Sequence, residues 1–156
     1  MHRIGFALLA LLACAVTLTA GGCSRTKPTR SQVIERYSQE LREAVSANVT
    51  AEGRKAQMLL LVDQLEAVNV RFSQETADFI GHYRKLNADY DAPRSAFEQL
   101  FSDYTAKRVQ ARSDALDLHF QLASLASTEE WNPIGKAEGK LYEEVNAAPL
   151  GPESTK

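Results

Sequence analysis

Residues 58–90, MLLLVDQLEAVNVRFSQETADFIGHYRKLNADY, decide the fold. Stepping by four and three in turn selects Met58, Val62, Leu65, Asn69, Phe72, Thr76, Phe79, Tyr83, Leu86 and Tyr90 without a slip. A mostly apolar stripe sustained at that spacing over more than four heptads marks a long helix that lays one face against another helix. Asp91-Ala92-Pro93 then breaks the pattern. Proline cannot continue a helix but suits the first turn of a new one, with Asp91 or Ala92 at its cap. A second stripe follows, Phe97, Phe101, Tyr104, Arg108, Ala111, Ala115, Leu118, Leu122 and Leu125, again alternating four and three. Two such stripes across a tight break predict an antiparallel helical hairpin.

Counting outward from Tyr90 opposite Phe97 gives the layers. Leu86 meets Phe101, Tyr83 meets Tyr104, Phe79 meets Arg108, Phe72 meets Ala115, Leu65 meets Leu122 and Val62 meets Leu125. Large residues then oppose small ones in the middle, as interdigitation requires. Arg108 either lies over the Phe79 ring or extends its head to solvent. Asn69 and Thr76 are polar breaks of the kind that set register in a seam.

Shorter helices flank the hairpin. Ser31 reads as an N-cap, and Val33, Ile34, Tyr37, Leu41, Ala44 and Val45 share one face of a helix running to Asn48. Thr50 to Gly53 makes a turn. After the hairpin, Ser127 to Trp131 reads as a turn or short helical start. Asn132-Pro133 then reads as cap and first residue of a helix carrying Ile134, Ala137, Leu141, Val145 and Ala148. Nothing alternates like a strand. The expected fold is all-α: a long antiparallel hairpin with two shorter flanking helices, an elongated four-helix bundle over residues 31–147. Residues 148–156, with Pro149, Gly151 and Pro152, are expected to form a disordered tail. Both flanking helices fall at the same pole. The other pole holds Phe72, Phe79, Tyr83, Tyr90, Phe97, Phe101 and Tyr104. Two helices hide only part of such rings, so Phe79, Tyr83, Tyr90, Phe97, Phe101 and Tyr104 are the candidate partner-binding residues. Filling the hairpin seam is their other reading.

The N-terminus carries a different signal. Met1-His2-Arg3 is a short positive segment, and Ile4 to Thr19 is an uncharged run of apolar and small residues. It ends in Leu18-Thr19-Ala20-Gly21-Gly22-Cys23, which resembles the bacterial lipobox, with Ala20 where leucine is usual. The resemblance implies that residues 1–22 are a lipoprotein signal peptide. Ala20, Gly21 and Gly22 are then read by the peptidase, and Cys23 is lipidated. Residues 23–30 become a lipidated N-terminus and tether, and Ser24 after the cysteine points to the outer membrane. The expected partners are a membrane, through lipid on Cys23, and a second copy or another envelope protein.

Composition narrows the rest. Losing Arg3 with the leader leaves 17 basic against 20 acidic residues, a net charge of −3 and no nucleic-acid footprint. Cys14 lies in the leader and Cys23 is consumed by lipid, so the mature chain has no thiol chemistry and no disulfide. Catalytic Ser/His/Asp order, a Gly-rich phosphate loop and a Cys-based site are all lacking, and the expectation is a protein that is not an enzyme and holds no cofactor. Glu75, Asp78 and His82 share a helix face at three and four spacing. They carry the alternative function, a metal-responsive or sensory lipoprotein, although an Asp–His pair on a solvated face is the simpler reading and no metal ligand is assigned.

One further resemblance concerns Leu122 to Trp131. There a long helix ends in Leu125-Ala126-Ser127-Thr128-Glu129-Glu130-Trp131. This is similar to the leucine-threonine-x-x-glutamine turn of the Spy, CpxP and CnrX-like periplasmic helical proteins, with Trp131 at the glutamine position. The resemblance covers ten residues. It implies a small envelope protein of the chaperone, stress-modulating or metal-sensing kind and transfers no site residue.

Overall fold

The long stripe forms one helix as far as Leu86, and the stripe after it forms another. In a computed structural model, which describes residues 27–149, the elements are α1 (Arg30–Asn48), α2 (Glu52–Ala88), α3 (Arg94–Leu125) and α4 (Thr128–Ala147). Among the described residues there is no strand. The all-α reading of a long hairpin with two shorter flanking helices is correct. None of the described helices is long and apolar enough to cross a membrane. The leader, the lipobox with Cys23, and the tail from residue 150 lie outside the described residues.

Helix α2 packs along α3, α1 along α2, and α4 along α1. The core sits where all four come together. Ile34, Leu41 and Val45 of α1, Met58, Val62 and Leu65 of α2, Leu122 of α3, and Ile134, Leu141 and Val145 of α4 are buried there. Fully hiding a side chain of this size contributes roughly 1.5–3 kcal/mol. Beyond Leu65 on α2 and before Leu122 on α3, only Thr76 and Ala111 are buried. The far half of the hairpin is therefore a two-helix stalk projecting from a four-helix base.

Polar contacts orient the flanking helices. Arg42 on α1 donates to Asp63 at 2.9 Å and to Glu66, both on α2. Lys140 on α4 donates to Glu40 on α1 at 2.8 Å and sits 4.9 Å from the centre of the Tyr37 ring. That hydrogen bond draws the Glu40 carboxyl below the usual carboxylate range and raises the Lys140 ammonium. Exposed pairs of this sort contribute little stability and mainly fix which faces meet. A stronger clamp lies at the base. Arg54, near the start of α2, grips Glu130 of α4 with both guanidinium ends, at 2.6 and 2.7 Å, and also donates to the Leu125 carbonyl that ends α3 at 3.1 Å.

Several boundaries differ from the sequence expectation, each for a local reason. The cap of α1 is Thr29, whose side chain accepts from the Gln32 N–H while the Gln32 side chain accepts from the Thr29 N–H, so Ser31 lies inside the first turn. Helix α4 begins at Thr128. Ser127 and Glu130 form a second capping box, and Pro133 sits inside the helix, where its ring removes one bond to the preceding turn. Asn132 is thus not a cap. Ala148, counted both on the apolar face of the last helix and as the start of the tail, is buried as the C-cap residue of α4.

The hairpin layers also shift. Helix α2 stops at Ala88 and α3 starts at Arg94 with Pro93 at its cap, so residues 89–93 form the turn. Tyr90, counted as a seam residue, lies in that turn with its side chain fully in solvent. Moving the centre of the turn back along the chain carries Phe79 away from Arg108 and onto Tyr104 and Phe101, while Tyr83 meets Phe97 and Phe101. Arg108 is exposed.

Candidate functional site

The stalk is built around Phe79. Its ring stacks on Tyr104 at 4.2 Å between centroids and 17° between planes, and takes Phe101 edge-on at 5.4 Å. Tyr83, one helical turn on, meets Phe97 at 6.4 Å and Phe101 at 6.0 Å, both edge-to-face. Phe72 stacks on Tyr104 from the base side at 6.1 Å. Such pairs contribute about 0.5–1.5 kcal/mol each beyond simple burial. The two polar seam residues are satisfied within their own helix, Asn69 donating to the Leu65 carbonyl at 2.9 Å and Thr76 to the Phe72 carbonyl at 2.8 Å. Thr76 also lies 3.4 Å from the Tyr104 hydroxyl, a contact across the two helices.

The structure therefore gathers Phe79, Tyr83, Phe97, Phe101 and Tyr104 into one cluster and leaves out Tyr90. No member is fully buried: Tyr83 keeps 38% and Phe101 47% of its surface, and Tyr90 beyond them is wholly exposed at 104%. A preformed, partly wet cluster of rings rimmed by Glu75, Asp78, Asp103 and Lys107 suits contact with another apolar surface. The start of α1 reaches this region too. Arg30 has its pKa drawn down by burial, opposed by the nearby Tyr104 hydroxyl.

Glu75, Asp78 and His82 share the expected helix face and line the same groove. The His82 ring, however, is 2.8 Å from the Asp78 carbonyl of its own helix. No three His, Cys, Asp or Glu side chains among the described residues are placed to hold a metal ion.

Sequence reasoning missed a second polar centre, at the base. Glu138 on α4 is 2% exposed, and its Oε2 lies 2.8 Å from Nδ1 of His119 on α3, while Oε1 has no partner among the described residues. Burial pushes the Glu138 carboxyl above its ordinary value, with His119 opposing. Burial likewise raises the Tyr142 hydroxyl, helped by the Glu138 charge. Trp131 packs edge-on against His119 at 5.5 Å, over Gly135, where a Cβ would come within 3.0 Å of the indole. One signal was present. Ile134, Glu138, Leu141 and Val145 form a four-three-four stripe, and Glu138 is its only charged member.

Comparison with family models, with curated proteins and with solved structures finds no match. The functional reading rests on the chain's own residues.

Proposed function

We propose that this chain is a non-catalytic, lipid-anchored protein of the bacterial cell envelope that binds an apolar segment of a protein partner or client through its aromatic stalk. The lipobox-like run ending at Cys23 supports the anchor, and Ser24 supports an outer-membrane address facing the periplasm. The observation that carries the binding reading is the ring cluster: stacked and edge-to-face contacts position the rings, yet Tyr83 and Phe101 stay exposed. Rings held in place before contact lose little conformational freedom on binding, which is how aromatic anchors contribute to interfaces. The metal-responsive alternative has Glu75, Asp78 and His82 lining one groove in its favour, but among the described residues no three such side chains are placed to hold a metal ion.

Two experiments test the reading. For the anchor, Cys23→Ser is compared with wild type by membrane fractionation; undiminished membrane recovery of the variant refutes it. For the stalk, the chain is assayed for suppressing aggregation of a denatured reporter enzyme, alongside Tyr83→Ser/Phe101→Ser. Activity in the wild type that falls at least several-fold in the double variant is expected. Equal activity in both, or none in either, refutes binding through the rings.

A further inference from the structure

Helix α3 is half-used. It packs along its length against α2 and meets α4 only around His119 and its C-terminal end. The opposite side carries a second regular stripe: Ala106, Val109, Ser113, Leu116, Phe120 and Ala123, again alternating three and four. At 100° per residue, Phe120 falls about 180° around the helix from Ala111, which points at α2. Val109 is 61%, Leu116 45% and Phe120 65% exposed, so three large apolar residues stand in a line with nothing described covering them.

The flanks of this stripe differ in charge. On one side is Arg112, on the other Asp117. Both are exposed, and neither has a hydrogen bond or ion pair among the described residues. If two α3 helices lie parallel and in step along the stripe, Arg112 of each copy comes beside Asp117 of the other, twice about the two-fold axis. Charges flanking a heptad seam select orientation in this way. An antiparallel pair brings like flanks together, setting Arg112 near Arg112 and Asp117 near the acidic Asp103. The one acidic contact of the parallel arrangement, Glu98 beside Asp103, is softened because Arg94 already pairs with Glu98 at 2.7 Å and Gln99 donates to Asp103 at 2.7 Å.

We propose that the outer face of α3, centred on Val109, Leu116 and Phe120, is a surface for a second copy of this chain, which docks parallel with Arg112–Asp117 pairs across the seam. From Ala106 to Ala123 the seam is about 26 Å long at 1.5 Å per residue. So small a contact belongs with weak, transient interfaces rather than obligate ones. The surface is distinct from the ring cluster of the stalk, so the inference stands independently of the function proposed above.

The test uses the full chain in cells, with the photoreactive residue p-benzoylphenylalanine in place of Leu116. Irradiation is expected to give a dimer whose crosslinks map to residues 113–120 of the second copy. Arg112→Asp should reduce the yield at least several-fold, and Arg112→Asp/Asp117→Arg should restore it. Circular dichroism of each variant checks that the helices are intact. Crosslinks to residues 102–109 of the second copy, to the chain's own N-terminal segment, or to another protein would overturn the proposal. So would absence of dimer, or a yield that ignores the charge exchange.

Discussion

Replacing Glu138 by glutamine should stabilise this protein. The carboxyl is 2% exposed and among the described residues has one hydrogen-bond partner, His119 at 2.8 Å, and an oxygen without a partner. Glutamine keeps the shape and can still accept from the ring while removing the charge. An unsatisfied buried group costs about 1–3 kcal/mol, and more when charged. Replacing buried ions by neutral groups of similar shape is often stabilising on the same scale. The expected gain at pH 8 is about 1–2 kcal/mol, or roughly 4–8 °C in Tm for a domain of this size. The gain depends on pH, with a definite sign. Because burial raises the folded-state pKa, the unfolded chain ionises first as pH climbs. Below the ordinary glutamate value, about 4.3, both states are protonated and the charge penalty is absent. The penalty then develops as pH rises from there through the raised folded value, and is complete above it. Thermal denaturation of wild type and Glu138→Gln at pH 4 and pH 8 should show near-equal stability at the first and a gap at the second. His119→Ala removes the one hydrogen-bond partner found among the described residues and should destabilise more at pH 8 than at pH 4. A Glu138→Gln variant less stable than wild type by the same amount at both values would refute the reasoning, because the charge would then not be a burden.

The same contrast between base and stalk yields other expectations. Leu141→Ala, at a fully buried position, should cost about 2–5 kcal/mol in urea denaturation, while Phe101→Ala, half exposed, should cost clearly less; the reverse order would refute the assignment of the core to the base. Ser127→Ala, which breaks the capping box of α4, should cost about 1 kcal/mol by the same measurement. The Ser127 backbone N–H, with Arg54, holds the Glu130 carboxyl below its ordinary value. Its contribution is therefore complete above the unfolded glutamate pKa and lost as pH falls through the depressed folded value. The stability gap between wild type and Arg54→Gln should accordingly shrink between pH 7 and pH 2. Gly135→Ala should displace the single tryptophan and shift its fluorescence to the red. Gly139→Ala, in open space, should leave the emission unchanged and stabilise the helix by up to about 1 kcal/mol.

The long hairpin was readable because each stripe repeats over enough heptads that only a helix satisfies it. Its register was not, because a four-three count continues past the end of a helix as easily as within it. Tyr90 satisfies the arithmetic yet lies in the turn, and that error alone displaces every layer. At α4 two start signals competed. Pro133 drew attention to Asn132, while the Ser127–Glu130 capping box, which satisfies two backbone donors, sets the start five residues earlier. Position on the stalk and partial exposure could be read for the aromatic cluster, because both flanking helices fall at the other pole, but not how much surface each ring keeps, since that depends on how far α1 and α4 reach. Glu138 escaped notice because polarity argued against the core position its spacing indicated. Its partner His119 lies on a different helix, in a contact that no local pattern encodes.

The clasp between α1 and α4 constrains the order in which this protein becomes itself. Lys140 and Glu40 are 100 residues apart in the chain, yet they lie on the two helices that pack together. During synthesis α2 and α3 can pair as soon as both have emerged, because their contacts are local around one turn. Helix α1 cannot finish its packing until α4 has been made. Until then the inner side of α1, Val33, Ile34, Tyr37, Leu41 and Val45, is only partly covered. A nascent or truncated chain lacking α4 therefore leaves this apolar side open, and is expected to be prone to association until the final twenty-residue helix arrives.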